Sequence, residues 1–207
     1  MGAAVTIFNG MGGEYSGTLL NENPKSAQVN ITGFVDTDRE SPLRITLIQG
    51  LSRSEHMETT IQKATELGVT EIMPVICERS VKMSKARTGK KHARWHQIVV
   101  SACEQSGRNI LPVLHRTTDL SHATGNVSAG TKLVLDPTTT DRINNIELDD
   151  SPVCILSGPE GGLSELEISS LSARGYHRIN FGPRILRTET AGPALIAAFQ
   201  TLKGDMG

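Results

Sequence analysis

Residues 155–167 read ILSGPEGGLSELE. An apolar strand runs into three glycines and a proline, then into a helix start. About twenty residues on, FGPRILRTETA (181–191) does something similar. Glycine lets a backbone approach a ligand closely, because no side chain intervenes. Pro159 and Pro183 pre-set the turns and reduce the entropy lost on ordering. Two stiff loops of one kind, each closing a strand, point to a shared ligand site. In parallel α/β sheets such sites lie at the carboxyl ends of the strands.

The flanking sequence supports that architecture. Leu43–Ile48, Glu71–Ile76, Leu111–Leu114, Lys132–Leu135, Val153–Leu156 and Arg178–Phe181 are short apolar strands. Between them lie helical patterns. One is capped by Ser54, carries Met57, Ile61, Ala64 and Leu67 at helical spacing, and stops at Gly68. A second carries Trp95, Ile98, Val99, Ala102 and Cys103 on one face and ends at Gly107. Glu165–Ala173 and Thr190–Lys203 are the last two. This alternation predicts an α/β fold with a mostly parallel sheet covered on both faces. Pro74 suggests an edge strand or a bulge.

Residues 1–38 read differently. Ala4–Phe8, Tyr15–Leu20 and Ala27–Thr32 are short strands with turns at Asn9-Gly10 and Gly12-Gly13. Three such strands bury little alone, so the segment is read as part of a small β-domain whose beginning is missing. The polar linker Asp36–Pro42 separates it from the α/β portion.

Of the 207 residues, 37% are hydrophobic and 21% charged, as in an ordinary folded domain. No apolar run reaches the ~18 residues of a membrane helix, and the N-terminus lacks a signal-peptide pattern. Three widely spaced cysteines, without a CxxC, predict reduced thiols in a cytosol. The net charge of −1 argues against a uniformly basic surface. Between Arg79 and Arg94, however, stand Arg79, Lys82, Lys85, Arg87, Lys90, Lys91 and Arg94 with no acid among them. Such a segment suits a polyanion.

Other chemistries fail on spacing. No GxGxxG follows the first strand, and residues 125–132 only approach a phosphate-binding loop and precede a strand. His92 and His96 are four apart but sit among Lys and Arg, so no metal site is expected. Ser157 lacks a nucleophile-elbow setting. Glu104-Gln-Ser-Gly-Arg-Asn109 closes the basic helix as either a helix C-terminus or a substrate-facing polar cluster.

Gly158-Pro-Glu-Gly-Gly-Leu-Ser164 and Gly182-Pro-Arg-Ile-Leu-Arg-Thr-Glu-Thr-Ala191 resemble motifs of the SPOUT methyltransferases. With Ala102–Asn109 and Ile61–Gly68, the chain from Ser41 onward is similar to the bacterial 16S rRNA (uracil-N3) methyltransferase family. That resemblance implies a deep C-terminal trefoil knot in a SPOUT domain at 39–207, preceded by a partial PUA-like β segment at 1–38. It implies S-adenosyl-L-methionine as cofactor, a homodimer, and 16S rRNA in the small ribosomal subunit as partner.

The cofactor-binding residues so implied fall in three strand ends. The first holds Leu135 and Asp136, and the second Leu156, Ser157, Gly158, Pro159, Glu160, Gly161 and Gly162. The third holds Phe181, Gly182, Leu186, Arg187, Thr188, Thr190 and Ala191. Methylating uracil N3 requires a proton acceptor and a group that stabilises charge on the ring oxygens. Glu189 or Glu104 suits the first role and Arg187 or Arg108 the second; Glu160 suits holding a loop or the cofactor's amino group. RNA contacts are expected from Arg79, Lys82, Lys85, Lys90, Lys91, Arg94 and Asn109. Two other readings share these features: a knotted RNA-binding protein without turnover, and a knotted methyltransferase with a different target atom.

Overall fold

The computed structural model describes residues 2–207 except 22, 24, 83, 84 and 147–149, with side chains omitted at 85–87 and 145. The described residues form two sheets. β1 (Ala4–Ile7), β2 (Glu14–Leu19) and β3 (Val29–Val35) form an antiparallel meander, with a register shift between Ser16 and Gly17. Ile31, Phe34 and Val35 of this sheet are exposed.

The second sheet is parallel throughout. β4 (Ile45–Gly50) lies at its centre between β5 (Glu71–Ile76) and β9 (Val153–Ser157). Beyond β9 come β8 (Thr131–Leu135) and β10 (His177–Ile179). Beyond β5 come two stubs, β6 (Val113–Leu114) and β7 (Thr118–Asp119). Side-chain alternation sorts the core into two layers. Ile45, Leu47, Leu133, Val153 and Ile155 face one layer. Ile48, Val134, Cys154 and Leu156 face the other.

The first layer is closed by α1 (Ser54–Glu66), α2 (Lys85–Ser106) and α5 (Thr188–Lys203), through Met57, Ile61, Trp95, Val99, Leu195 and Phe199. The second is closed by α3 (Leu120–Gly125) and α4 (Glu165–Ala173) through Leu120, Ala123 and Leu171. A short 3-10 turn covers Ile143–Asn145. Helices on both faces explain the continuously apolar strands. All three cysteine thiols are buried, and burial pushes Cys103 up to about 11 and Cys77 and Cys154 up to about 12. They are therefore thiols, not thiolates, near neutrality.

Pro74 lies inside the sheet, not on an edge strand or at a bulge. The carbonyls of Thr70 and Ile72 accept from Val113 and His115 on the β6 side. Two residues further, the proline nitrogen faces the same side, where β6 has ended and β7 has yet to begin. The missing N–H falls in the gap between the stubs, so no ladder bond is lost. The sequence reading also missed β7 and α3, and it overextended β6. These elements are too short for a periodicity to register.

Candidate functional site

The carboxyl ends of β8, β9 and β10 converge on one cavity of about 660 Å³. Its walls come from Leu135–Thr138, Ser157–Leu163, Ile179–Phe181 and Arg184–Glu189, with Ala191, His56 and Arg79. The two glycine loops therefore share a single pocket, within the size range of small-molecule and cofactor sites. Most residues expected there do line it. Leu156, Gly182 and Thr190 do not: Leu156 is buried in the sheet, Gly182 makes the turn at φ +90°, and Thr190 points to solvent.

Packing dictates how the loops are held. At Gly50, the last residue of β4, a Cβ would come within 2.6 Å of Pro159 Cδ and its nitrogen. Only glycine lets the first loop lie on that strand end. Next to it, the fully buried Gln49 donates from Nε2 to Gly158 O (3.4 Å) and to Thr188 Oγ1 (3.0 Å). Thr188 Oγ1–H in turn donates to Gly158 O at 2.7 Å. One amide and one hydroxyl thus tie β4, the first loop and α5 together. Ser164 and Glu167 form a reciprocal capping box at the start of α4, and Glu167 also accepts from the Glu78 N–H at 2.8 Å. Arg79 donates to Gly161 O and Leu163 O at 3.2 and 3.3 Å.

Several charged groups have fixed duties. Asp136 accepts from the N–H and hydroxyl of Thr138 and from Arg178 Nε at 2.8 Å. Burial pushes its carboxyl up, but those donors and the Arg178 charge outweigh burial and hold it below its ordinary value. Its polar capacity is spent folding its own loop. Glu160 Oε1 accepts from the Arg53 N–H at the N-terminus of α1 and stands 2.8 Å from His56 Nδ1. Burial again pushes this carboxyl up. The main-chain donors and His56 more than offset it, so it also lies below the usual range.

Glu189, in the first turn of α5, is mostly buried, and its Oε2 has no hydrogen-bond partner among the described residues. His56 Nδ1 is 3.6 Å from that oxygen, and Arg187 Nη1 is 3.9 Å from Oε1. A buried, unpaired acceptor is costly, and here it belongs to the pocket wall. Chemically the site offers main-chain groups for a flat polar ligand, apolar walls from Leu135, Ile179, Phe181 and Leu186, and the Glu189 carboxylate in its wall. Among the described residues no cluster of His, Cys, Asp and Glu could hold a metal ion.

The polar cluster at the end of α2 lies elsewhere. Arg108 is buried and donates to Thr65 O and Val69 O at 2.8 and 3.0 Å, and it pairs with Glu40. Asn109 is buried as well and donates from Nδ2 to Thr37 O. Arg108 joins the linker to the end of α1, whose last carbonyls need donors, and Asn109 ties the linker to the end of α2. Within one chain, neither Arg108 nor the exposed Glu104 reaches the cavity. Arg108 is therefore corrected from a substrate-facing group to a structural one, and Asn109 from an RNA contact to an internal bond. The cause is a helix end aimed at the linker.

Of the basic segment, Lys82 and Lys90 are exposed and Lys91 partly so. Arg94 pairs with Glu58 at 3.1 Å, and the side chains of Lys85 and Arg87 lie outside the described residues. Gln49, Gly50 and His56 were not singled out from sequence. No local motif marks them, because their role arises from distant loops folding onto them.

A family model described as an RNA methyltransferase domain matches residues 39–200. The Ribosomal RNA small subunit methyltransferase E of Buchnera aphidicola subsp. Schizaphis graminum is 37% identical over 202 residues, covering 97% of this chain and 82% of that protein. The crystal structure of a Ribosomal RNA small subunit methyltransferase E from Neisseria gonorrhoeae bound to S-adenosyl methionine superposes with a TM-score of 0.92. It is 40% identical, covering 100% of this chain and 86% of that one. A methyltransferase from Legionella pneumophila, solved with the bound cofactor SAM, gives a TM-score of 0.94 at 37% identity, covering 99% and 85%.

Proposed function

The chain belongs to the RNA methyltransferase family that includes the Ribosomal RNA small subunit methyltransferases E, and from that premise we propose that it methylates N3 of a uridine in 16S rRNA. It is an S-adenosylmethionine-dependent methyltransferase of small-subunit ribosomal RNA. The observation that carries the choice of site is the meeting of both glycine loops in one cavity, beside a Glu189 oxygen with no hydrogen-bond partner among the described residues.

The cavity suits that cofactor by size and by donor set. Main-chain groups of Leu135, Gly158–Gly162 and Phe181–Thr188 would hold it, with Leu186 and Ile179 against its apolar parts. The cofactor supplies an electrophilic methyl on a sulfonium, released as a neutral thioether. The protein manages position and charge. N3 is a weak acid, so its proton must leave as the N–C bond forms. Glu189 accepts that proton at its buried oxygen, and Arg187, largely exposed at the pocket rim, faces the charge growing on a ring carbonyl. Glu160 holds the first loop against α1. Cavity walls that hold uridine and cofactor in one fixed orientation would supply much of the rate.

Residues 39–207 form the catalytic domain in this reading, with the segment after β9 threaded as a trefoil knot. Residues 1–38 serve as a PUA-like RNA-contacting element. The segment Arg79–Arg94 grips phosphates, chiefly through Lys82, Lys90 and Lys91, and Arg79 braces the first loop. The partly exposed small residues Ala194, Ala197 and Ala198 of α5 support a homodimer. No helix among the described residues is long and apolar enough to cross a membrane, and we place the protein in the cytoplasm with its ribosomal substrate.

Calorimetry with S-adenosylmethionine and mass mapping of rRNA nucleosides after incubation with labelled cofactor test this reading. Heat of binding together with label on N3-methyluridine is expected. Label on a ribose or on another base would refute the assignment of the target atom, and binding of RNA without any cofactor heat would favour a knotted RNA binder.

A further inference from the structure

His56 stands where the two halves of the cavity wall meet. It lies in the first turn of α1 and lines the pocket. Its Nδ1 is 2.8 Å from Glu160 Oε1, on the first loop, and 3.6 Å from Glu189 Oε2, at the start of α5. Glu160 Oε1 also accepts the Arg53 N–H at 2.8 Å. An ionised carboxylate only accepts, so the proton of the imidazole sits on Nδ1 and points at Glu160. That N–H satisfies one carboxylate. The second, Glu189, is too far for a hydrogen bond and can be held only by charge.

The surroundings make that charge matter. Glu160 and Glu189 face the imidazole; Arg187 is 3.9 Å from the other Glu189 oxygen, but its side chain is 81% exposed and screened by water. Arg79 and Arg184 line the cavity, with Arg79 committed to the carbonyls of Gly161 and Leu163, and Asp136 is committed to Arg178 and Thr138. Of the two groups near Glu189, His56 is the less exposed, with 27% of its side chain accessible.

We infer that His56 in its charged form is the positioning residue that holds Glu160 and Glu189 together across the cavity wall and so places Glu189 for the uridine proton. The inference rests on the reading of Glu189 as proton acceptor given above. When the imidazole is neutral, two carboxylates are left facing each other with no buried cation between them. The first loop and the start of α5 then lose their common anchor.

The test compares wild type with His56→Lys, which carries a permanent cation, and His56→Asn, which keeps a hydrogen-bond donor but no charge. All three are assayed for kcat with saturating cofactor and RNA across the neutral range. Taking the ratio of variant to wild-type kcat cancels the ionisation of uridine itself. The His56→Lys ratio is expected to rise with pH, by about tenfold, the scale of one charge-assisted bond. His56→Asn is expected to lose about tenfold in kcat at low pH, with cofactor Kd within about twofold of wild type. A flat His56→Lys ratio, or a His56→Asn profile that overlays wild type, would overturn the inference.

NMR titration of the wild-type imidazole gives a check that needs no variant. Protons on both Nδ1 and Nε2 at the pH of maximal turnover are expected, and a ring carrying only one there would also overturn it. Wild-type protein that gives no heat with S-adenosylmethionine would sink both this inference and the reading beneath it. Normal uridine methylation with a flat ratio would sink only the role of His56.

Discussion

Gln49 Nε2 stands 3.0 Å from Thr188 Oγ1, across 139 positions of sequence, and both groups bond the same carbonyl, that of Gly158. This contact is the mechanical joint between the central strand, the first glycine loop and α5. Gln49→Leu fills similar volume but leaves the Thr188 hydroxyl and the Gly158 carbonyl short of a donor. It should cost about 1–3 kcal/mol of stability and weaken cofactor binding, because the loops lose their common tie. Thr188→Val should do likewise. Chemical denaturation and calorimetry check both effects.

Arg108 and Glu40 form a buried pair, and the same guanidinium serves two carbonyls at the end of α1. Glu40→Gln or Arg108→Met breaks it and strands a charge or a set of acceptors. A loss of about 3–5 kcal/mol in unfolding free energy is expected. In whatever fraction stays folded, kcat per bound cofactor should be unchanged. A kcat loss exceeding the loss of folded protein would return Arg108 to the chemistry.

Acid should loosen the strand end that carries Asp136. Its carboxyl lies below its ordinary 3.8 in the folded protein. Folding is therefore stabilised above that ordinary value, and the contribution drains away as pH falls through the folded value. Asp136→Asn should be less stable than wild type at neutral pH, with the two converging in strong acid. Unfolding midpoints measured against pH give the comparison.

Lys90, Lys91 and Arg94 are unequal in their freedom to meet RNA, since Arg94 is paired with Glu58. Replacing all three by neutral residues should lower RNA affinity and reduce the salt slope by up to about 2–3. Lys90 and Lys91 should account for most of the change. Cofactor affinity should stay where it was. An RNA salt slope equal to wild type in the triple variant would remove this segment from the interface.

The layered α/β fold was legible because strand and helix periods are written locally: Val153–Leu156 is continuously apolar, and Met57, Ile61 and Ala64 recur at helical spacing. The pocket's loops were legible for a similar reason, since glycine and proline mark backbone geometry in a few adjacent residues. Pro74 misled because its tolerance depends on where two other strands stop and start. Arg108 misled because a helix end reveals nothing of what it points at. Gln49 and His56 were invisible because each acts on residues more than a hundred positions away.

The break between β6 and β7 over Pro74 also bears on behaviour at high concentration. An uninterrupted border strand offers a row of free main-chain groups to any neighbouring molecule. Here that border is two stubs of two residues each, separated where β5 has no N–H to give. A foreign strand finds no continuous ladder to extend on that side, so the proline that the parallel sheet accommodates inside also guards its flank against intermolecular pairing.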